Sequence, residues 1–99
     1  MLNITKTMDG SALTMVLEGR LDTTTAPDLE KDLKASLDNV ESLIFDLVKL
    51  DYISSAGLRV LLSAQKVMNK KGSMKVTHVN DVVQEVFDVT GFSDILDIE

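Results

Sequence analysis

The sequence predicts a small α/β domain spanning residues 1–99, a mixed β-sheet packed with three or four helices in the order ββαβαβα. Three observations carry this. Two runs with strand period flank an Asp-Gly dipeptide near the N-terminus. A short, nearly continuous apolar run lies mid-chain, as a buried parallel strand requires. Strand patterns then alternate with helix patterns, which implies parallel neighbours joined by right-handed crossovers.

Leu2 to Met8 alternates, with Leu2 and Ile4 on one side and Asn3, Thr5 and Thr7 on the other. Asp9-Gly10 marks a tight turn. Ala12 to Glu18 alternates again around Leu13, Met15 and Leu17, completing a hairpin. A helix is expected from about Ala26, with Thr25 as N-cap and Pro27 in the first turn. Its buried stripe is Ala26, Leu29, Leu33 and Leu37. Leu43 to Val48 is the apolar run, expected as a central strand covered on both faces. Leu50 to Arg59 turns into a second helix ending near Asn69, with the core stripe Val60, Leu61, Ala64, Val67 and Met68. Lys70-Lys71-Gly72 closes it. Met74 to Val79 is a further strand. Asp81 with Gln84 resembles a capping box opening a third helix, which Gly91 ends. Phe92 to Ile98 is a short tail with a weak strand or a helical turn.

The chain has 99 residues, room for one domain and one core. With 44% hydrophobic and 26% charged residues it is globular in composition, not disordered. It has no cysteine, which excludes disulfides, thiolate metal sites and thiol catalysis. A net charge of −6 argues against a nucleic-acid partner, because phosphate binding needs clustered Lys and Arg. No apolar run approaches the ~20 residues of a membrane helix, and the N-terminus lacks the pattern of a signal peptide. The expectation is a soluble, cytoplasmic protein with no membrane or nucleic-acid partner, monomeric or weakly dimeric.

Neither a phosphate-binding loop nor a dinucleotide fingerprint is present. Ser55 sits at a strand-to-helix turn, the place of a hydrolase nucleophile, but no glycine lies two residues before it. His78 is the sole candidate base. Asp22, Asp46 and Asp51 are expected at strand ends or loops on one side of the sheet, where a metal or nucleotide contact is conceivable; surface acids are the ordinary outcome in so acidic a chain. No metal ligand set and no cofactor is assigned.

Ser54-Ser55 is the most informative spot. A serine before an apolar-periodic run is an N-cap, and this needs only one serine. Gly57 in the first turn costs about 1 kcal/mol against alanine and would let another chain's backbone come close. Leu58 and Leu62, one turn apart, flank the core stripe, either as core or as an apolar contact, and Arg59 shares that edge. Ser55 is expected as a capping serine within a docking patch made of Asp22, Ser54, Ser55, Gly57, Leu58, Arg59 and Leu62.

These residues resemble a known family. Leu43-Ile44-Phe45-Asp46-Leu47, followed by Ile53-Ser54-Ser55-Ala56-Gly57-Leu58, resembles the STAS domain, named for sulfate transporters and anti-sigma factor antagonists. Gly19-Arg20-Leu21-Asp22 resembles the family's Gly-x-Leu-Asp turn, and Ala26-Pro27 the start of its first helix. The likeness spans nearly the whole chain and is strongest to the free-standing bacterial anti-sigma factor antagonists.

The resemblance implies a phosphorylation switch. Such proteins bind an anti-sigma factor that is also a serine kinase, and a PP2C-type phosphatase reverses the modification. The family motif is commonly Asp-Ser-Ser-Gly, modified on the first serine. Aligned on the glycine, that serine is Ser55, with Ser54 a minor alternative. Ser54 itself stands where the family has aspartate, Ala56 where it has a second serine, and Lys49 where a glycine is common. The resemblance also sets Asp22 beside the second helix start, where a carboxylate orients the acceptor or its donor; the alternative is a loop aspartate capping near Thr23 to Thr25. Two rival functions are a non-switching STAS scaffold or assembly subunit, and a small enzyme with Ser55 as nucleophile.

Overall fold

The computed structural model describes residues 2–99. The chain forms β1 (Leu2–Asp9), β2 (Ala12–Leu21), α1 (Ala26–Ser36), β3 (Ser42–Ile53), α2 (Ser55–Lys71), β4 (Ser73–Thr77) and α3 (Asp81–Thr90), then a 3-10 turn at Phe92–Asp94. The four strands lie in the order β1-β2-β3-β4. β1 pairs antiparallel with β2, and the remaining pairs are parallel. The predicted ββαβαβα order is the observed one.

The hairpin turns as its sequence dictates. Gly10 takes a left-handed φ of +61°, which a residue without a Cβ adopts cheaply. Alternation along β2 then buries Leu13, Met15 and Leu17 on one face. The same face of β3 and β4 contributes Leu43, Phe45, Leu47, Met74 and Val76. The helices cover this face with Leu29 and Leu33 of α1, Leu61 and Met68 of α2, and Val83 and Phe87 of α3, so a single core lies between sheet and helices. Among the described residues no helix covers the opposite face of the sheet. Ile44 and Asp46 are only half-buried there and Val48 is 56% exposed, so β3 is covered on one face and not on both as expected.

β3 also runs five residues beyond the predicted Val48. Between Val16/Glu18 and Gly19/Arg20 of β2 the pairing slips, and β3 accommodates an extra residue at each slip. The Asp46 carboxylate accepts from the Val48 N–H (3.1 Å) at the first slip, occupying a donor the ladder leaves free. Across these bulges the inward residues are Leu47, Leu50 and Ile53, spaced by three instead of two, which hid the extension from a period-2 reading.

Three local expectations are corrected. Thr25 does not cap α1 through its side chain. Its buried hydroxyl instead donates to the Arg20 carbonyl (2.8 Å) and accepts from the Asp22 N–H (2.9 Å). The cap of α3 is Asn80, whose side-chain oxygen accepts from the Val83 N–H (2.9 Å), so Asp81 and Gln84 form no capping box. Val67, assigned to the α2 core stripe, is 42% exposed. The C-terminal tail supplies the expected weak strand as one parallel bridge, Val76 to Ile98.

Candidate functional site

The site is built where β2 and β3 end together. Leu21 is in register with Ile53, and the Ser54 N–H donates to the Leu21 carbonyl (2.9 Å). That bond holds Ser54 extended, with φ −99° and ψ 175°, and the chain enters α2 at the next residue. Ser54 Oγ accepts from the Gly57 N–H (3.4 Å), and the Ser54 carbonyl accepts from the Leu58 N–H (2.9 Å). The cap is therefore Ser54, and the expectation that Ser55 caps is corrected. Ser55 is the first helical residue and is exposed. The first turn of α2 contains no acidic residue. Its free N–H groups and the positive end of the helix dipole thus face solvent without a built-in counter-charge.

Gly57 and Leu58 do not form an exposed contact. A Cβ on Gly57 would lie 2.7 Å from Leu21 Cγ and 2.9 Å from Ile53 Cγ1. The glycine admits the first turn of α2 onto the strand ends of its own chain, not the backbone of another. Leu58 is 4% exposed and belongs to the core. Both are corrected out of the docking patch. Arg59 is exposed and Leu62 half-buried. With Ser55 they follow the spacing i, i+4, i+7, so the three share one face of α2. Beside that face a shallow depression of about 210 Å³ separates the two helix starts, lined by Thr23, Pro27 and Glu30 on one side and Ala56, Arg59 and Ser63 on the other.

Asp22 follows Leu21 as Ser54 follows Ile53, so the two lie at the same end of the sheet. Its Oδ1 accepts from the Thr24 hydroxyl (2.8 Å) and from the N–H groups of Thr24 (3.0 Å) and Thr25 (3.2 Å). The Thr24 hydroxyl is the main cause holding the Asp22 carboxyl below its ordinary value of 3.8; burial opposes it, and the Thr24 and Thr25 N–H groups add to it. Arg20 approaches Asp22 Oδ2 to 3.8 Å and stacks 4.5 Å above the Tyr52 ring. Sequence reasoning missed this Arg20–Tyr52 pair, since a β-bulge sets which residue of β3 lies opposite Arg20.

His78 does not join the site. It takes a left-handed φ of 57°, and its Nδ1 lies 3.2 Å from Asp46 Oδ1. Among the described residues no group of three or more His, Asp or Glu side chains gathers as a metal site, so Asp22, Asp46 and Asp51 do not form a ligand set. No described helix is long and apolar enough to cross a membrane.

The fold and this helix start define a class. The STAS domain profile matches residues 3–99, and the chain belongs to the STAS domain family. Within that family its relatives are anti-sigma factor antagonists. It is 39% identical over 84 residues to BtrV of Bordetella bronchiseptica, a match covering 83% of this chain and 72% of that protein, and 28% identical over 98 residues to the anti-sigma-B factor antagonist of Bacillus subtilis, covering 98% of this chain and 90% of that protein. A crystal structure of an anti-sigma factor antagonist from Mycobacterium paratuberculosis superposes with a TM-score of 0.89 at 20% identity, covering 99% of this chain and 85% of that one. The phosphorylated form of the Bacillus cell fate determinant SpoIIAA superposes with a TM-score of 0.77 at 15% identity, covering 98% of this chain and 91% of that one.

Proposed function

We propose that this chain is an anti-sigma factor antagonist of the partner-switching kind. It binds an anti-sigma factor that has serine kinase activity, and so frees the sigma factor. Phosphorylation of Ser55 ends the binding, and a PP2C-type phosphatase restores it. The setting is the cytoplasm. The observation that carries this reading is the exposed Ser55 at the first position of α2, directly after a serine that already does the capping.

The chemistry of the helix start supports it. A phosphate adds about −1.5 to −2 charges at neutral pH. At a helix N-terminus it meets free N–H groups and the positive dipole end, so the domain tolerates it. A partner packed over Ser55 has to desolvate that charge. A loss of about 3–5 kcal/mol weakens binding by hundreds to thousands. The switch then acts on affinity without refolding the domain.

The departure from the family motif fits the same scheme. Serine and aspartate are both strong N-caps, so Ser54 preserves the cap while removing one negative charge beside the acceptor. Ser54 is the poorer acceptor of the two, because it is half-buried and its Oγ is engaged with the Gly57 N–H. Asp22 and the Ser55, Arg59 and Leu62 face of α2 complete the proposed contact.

Incubation with the cognate kinase and ATP, followed by peptide mass spectrometry, tests the acceptor. The expected product carries one phosphate on Ser55, and Ser55→Ala takes none. Continued phosphorylation of Ser55→Ala would overturn the assignment. No phosphorylation of the parent chain would favour a non-switching STAS scaffold.

A further inference from the structure

We propose that β1 is a self-association edge: two copies of this chain pair antiparallel through β1, about a two-fold axis at Thr5, joining their four-stranded sheets into one.

The two outer strands of the sheet are unlike. The outer edge of β4 is occupied, because the Val76 N–H donates to the Asp97 carbonyl (2.9 Å) and the Glu99 N–H donates to the Val76 carbonyl (2.9 Å). Among the described residues β1 pairs with β2 alone. It runs eight residues without a register shift, holds no proline and carries a single lysine. The devices that blunt an edge strand are thus largely missing.

The register of the hairpin says which groups are free. Asp9 pairs with Ala12 across a two-residue loop, which makes it a hydrogen-bonded pair. Antiparallel alternation then turns the N–H and C=O groups of Asn3, Thr5 and Thr7 toward β2, and those of Leu2, Ile4, Lys6 and Met8 outward. Two such edges meet with outward residues opposite outward residues. Centred on Thr5, the pairing sets Ile4 against Lys6 and Leu2 against Met8. Thr5 then meets Thr5 of the second copy, and Asn3 meets Thr7. Centring on Lys6 would place two lysines opposite each other, and centring on Ile4 would leave Met8 without a mate.

Two further observations favour a second copy as the occupant. Met8 is 51% exposed, and the Thr5-centred register covers it with Leu2 of the second copy. β1 carries one lysine and one aspartate, so its formal charge is zero on a chain of net charge −6. In the Thr5-centred register no charged residue of β1 faces a like charge: Lys6 lies opposite Ile4, and Asp9 falls outside the Leu2–Met8 overlap. α2 packs against α1, β3 and β4, so the paired edge is separate from the Ser55 face and the inference is independent of the proposed switch.

The test uses the two-fold axis. Thr5 is exposed, so Thr5→Lys and Thr5→Asp leave the core untouched. Sedimentation velocity over a concentration series is expected to show a reversible dimer for the parent. Each variant alone should associate at least tenfold more weakly, because like charges then face each other across the axis. An equimolar mixture of the two variants should recover the dimer. A parent chain that stays monomeric to about 1 mM overturns the proposal, whether or not an extended segment of another protein takes the edge. Variants that dimerise as well as the parent, or a mixture that fails to recover, also overturn it.

Discussion

Ser54 and Ser55 differ by one position and by everything that matters chemically. One hydroxyl closes the first turn of α2, and its neighbour is exposed at the positive end of the helix. From sequence the pair was recognisable as a helix start, but two adjacent serines are equivalent as caps until the backbone angles of Ser54 are known. The same one-residue ambiguity separates Asn80 from Asp81 at α3. Gly57 was legible as a glycine with a reason, although the reason is internal. Gly57→Ala should therefore destabilise the domain, against the ordinary gain of about 1 kcal/mol for alanine in a helix. A Cβ at 2.7 Å from Leu21 Cγ forces repacking worth about 1–3 kcal/mol. Thermal melts should show a drop of several degrees, at about 4–8 °C per kcal/mol, and an unchanged or raised Tm would contradict the packing described.

Asp22 offers a titration at the same scale. Its folded pKa is depressed below 3.8, so its contribution to stability is present above that pH and is lost as pH falls through the lower folded value. Asp22→Asn should be less stable than the parent at neutral pH, and the gap should close below about pH 3.8. Urea denaturation of both chains at several pH values reads this directly. A gap that stays constant into the acid range would remove the carboxylate's charge from the turn.

α2 shows how far periodicity carries an element and where it stops. Its length and its stripe of Leu61, Ala64 and Met68 follow from 3.6-residue spacing. The width of the buried face does not, because it depends on what the helix packs against. α2 lies over α1, β3 and β4 together, so Leu58 is enclosed while Val67 is not. Leu58→Ala should cost about 2–5 kcal/mol, as a cavity in a packed core does. Leu62→Ala, at the half-buried edge, should change the Tm little and weaken the complex with the anti-sigma partner. Melts and calorimetry on both variants separate the roles; a large fall in Tm with unimpaired binding for Leu62→Ala would take Leu62 out of the contact. β3 teaches the complementary lesson: its apolar first half was legible, and its second half was not, because two bulges replace the period of two.

On the scale of the whole molecule, element order and core were legible because each element carries its own pattern and the patterns agree. The helix start was legible as a site, but its geometry was not, since it arises where β2, β3 and α2 meet from distant parts of the chain. That meeting point suits the proposed switch: Ser55 is exposed at the start of α2, where free N–H groups favour a phosphate. The central claim is that charge at Ser55 controls affinity for the kinase partner and leaves the fold intact. Isothermal titration calorimetry against that partner, with Ser55→Ala, Ser55→Asp and the Ser55-phosphorylated chain, tests it most directly. Ser55→Ala should bind like the parent, and the phosphorylated chain at least a hundredfold more weakly, a difference of about 2.7 kcal/mol or more, with Ser55→Asp also clearly weakened. Equal affinity for all three forms, each folded by circular dichroism, would contradict it.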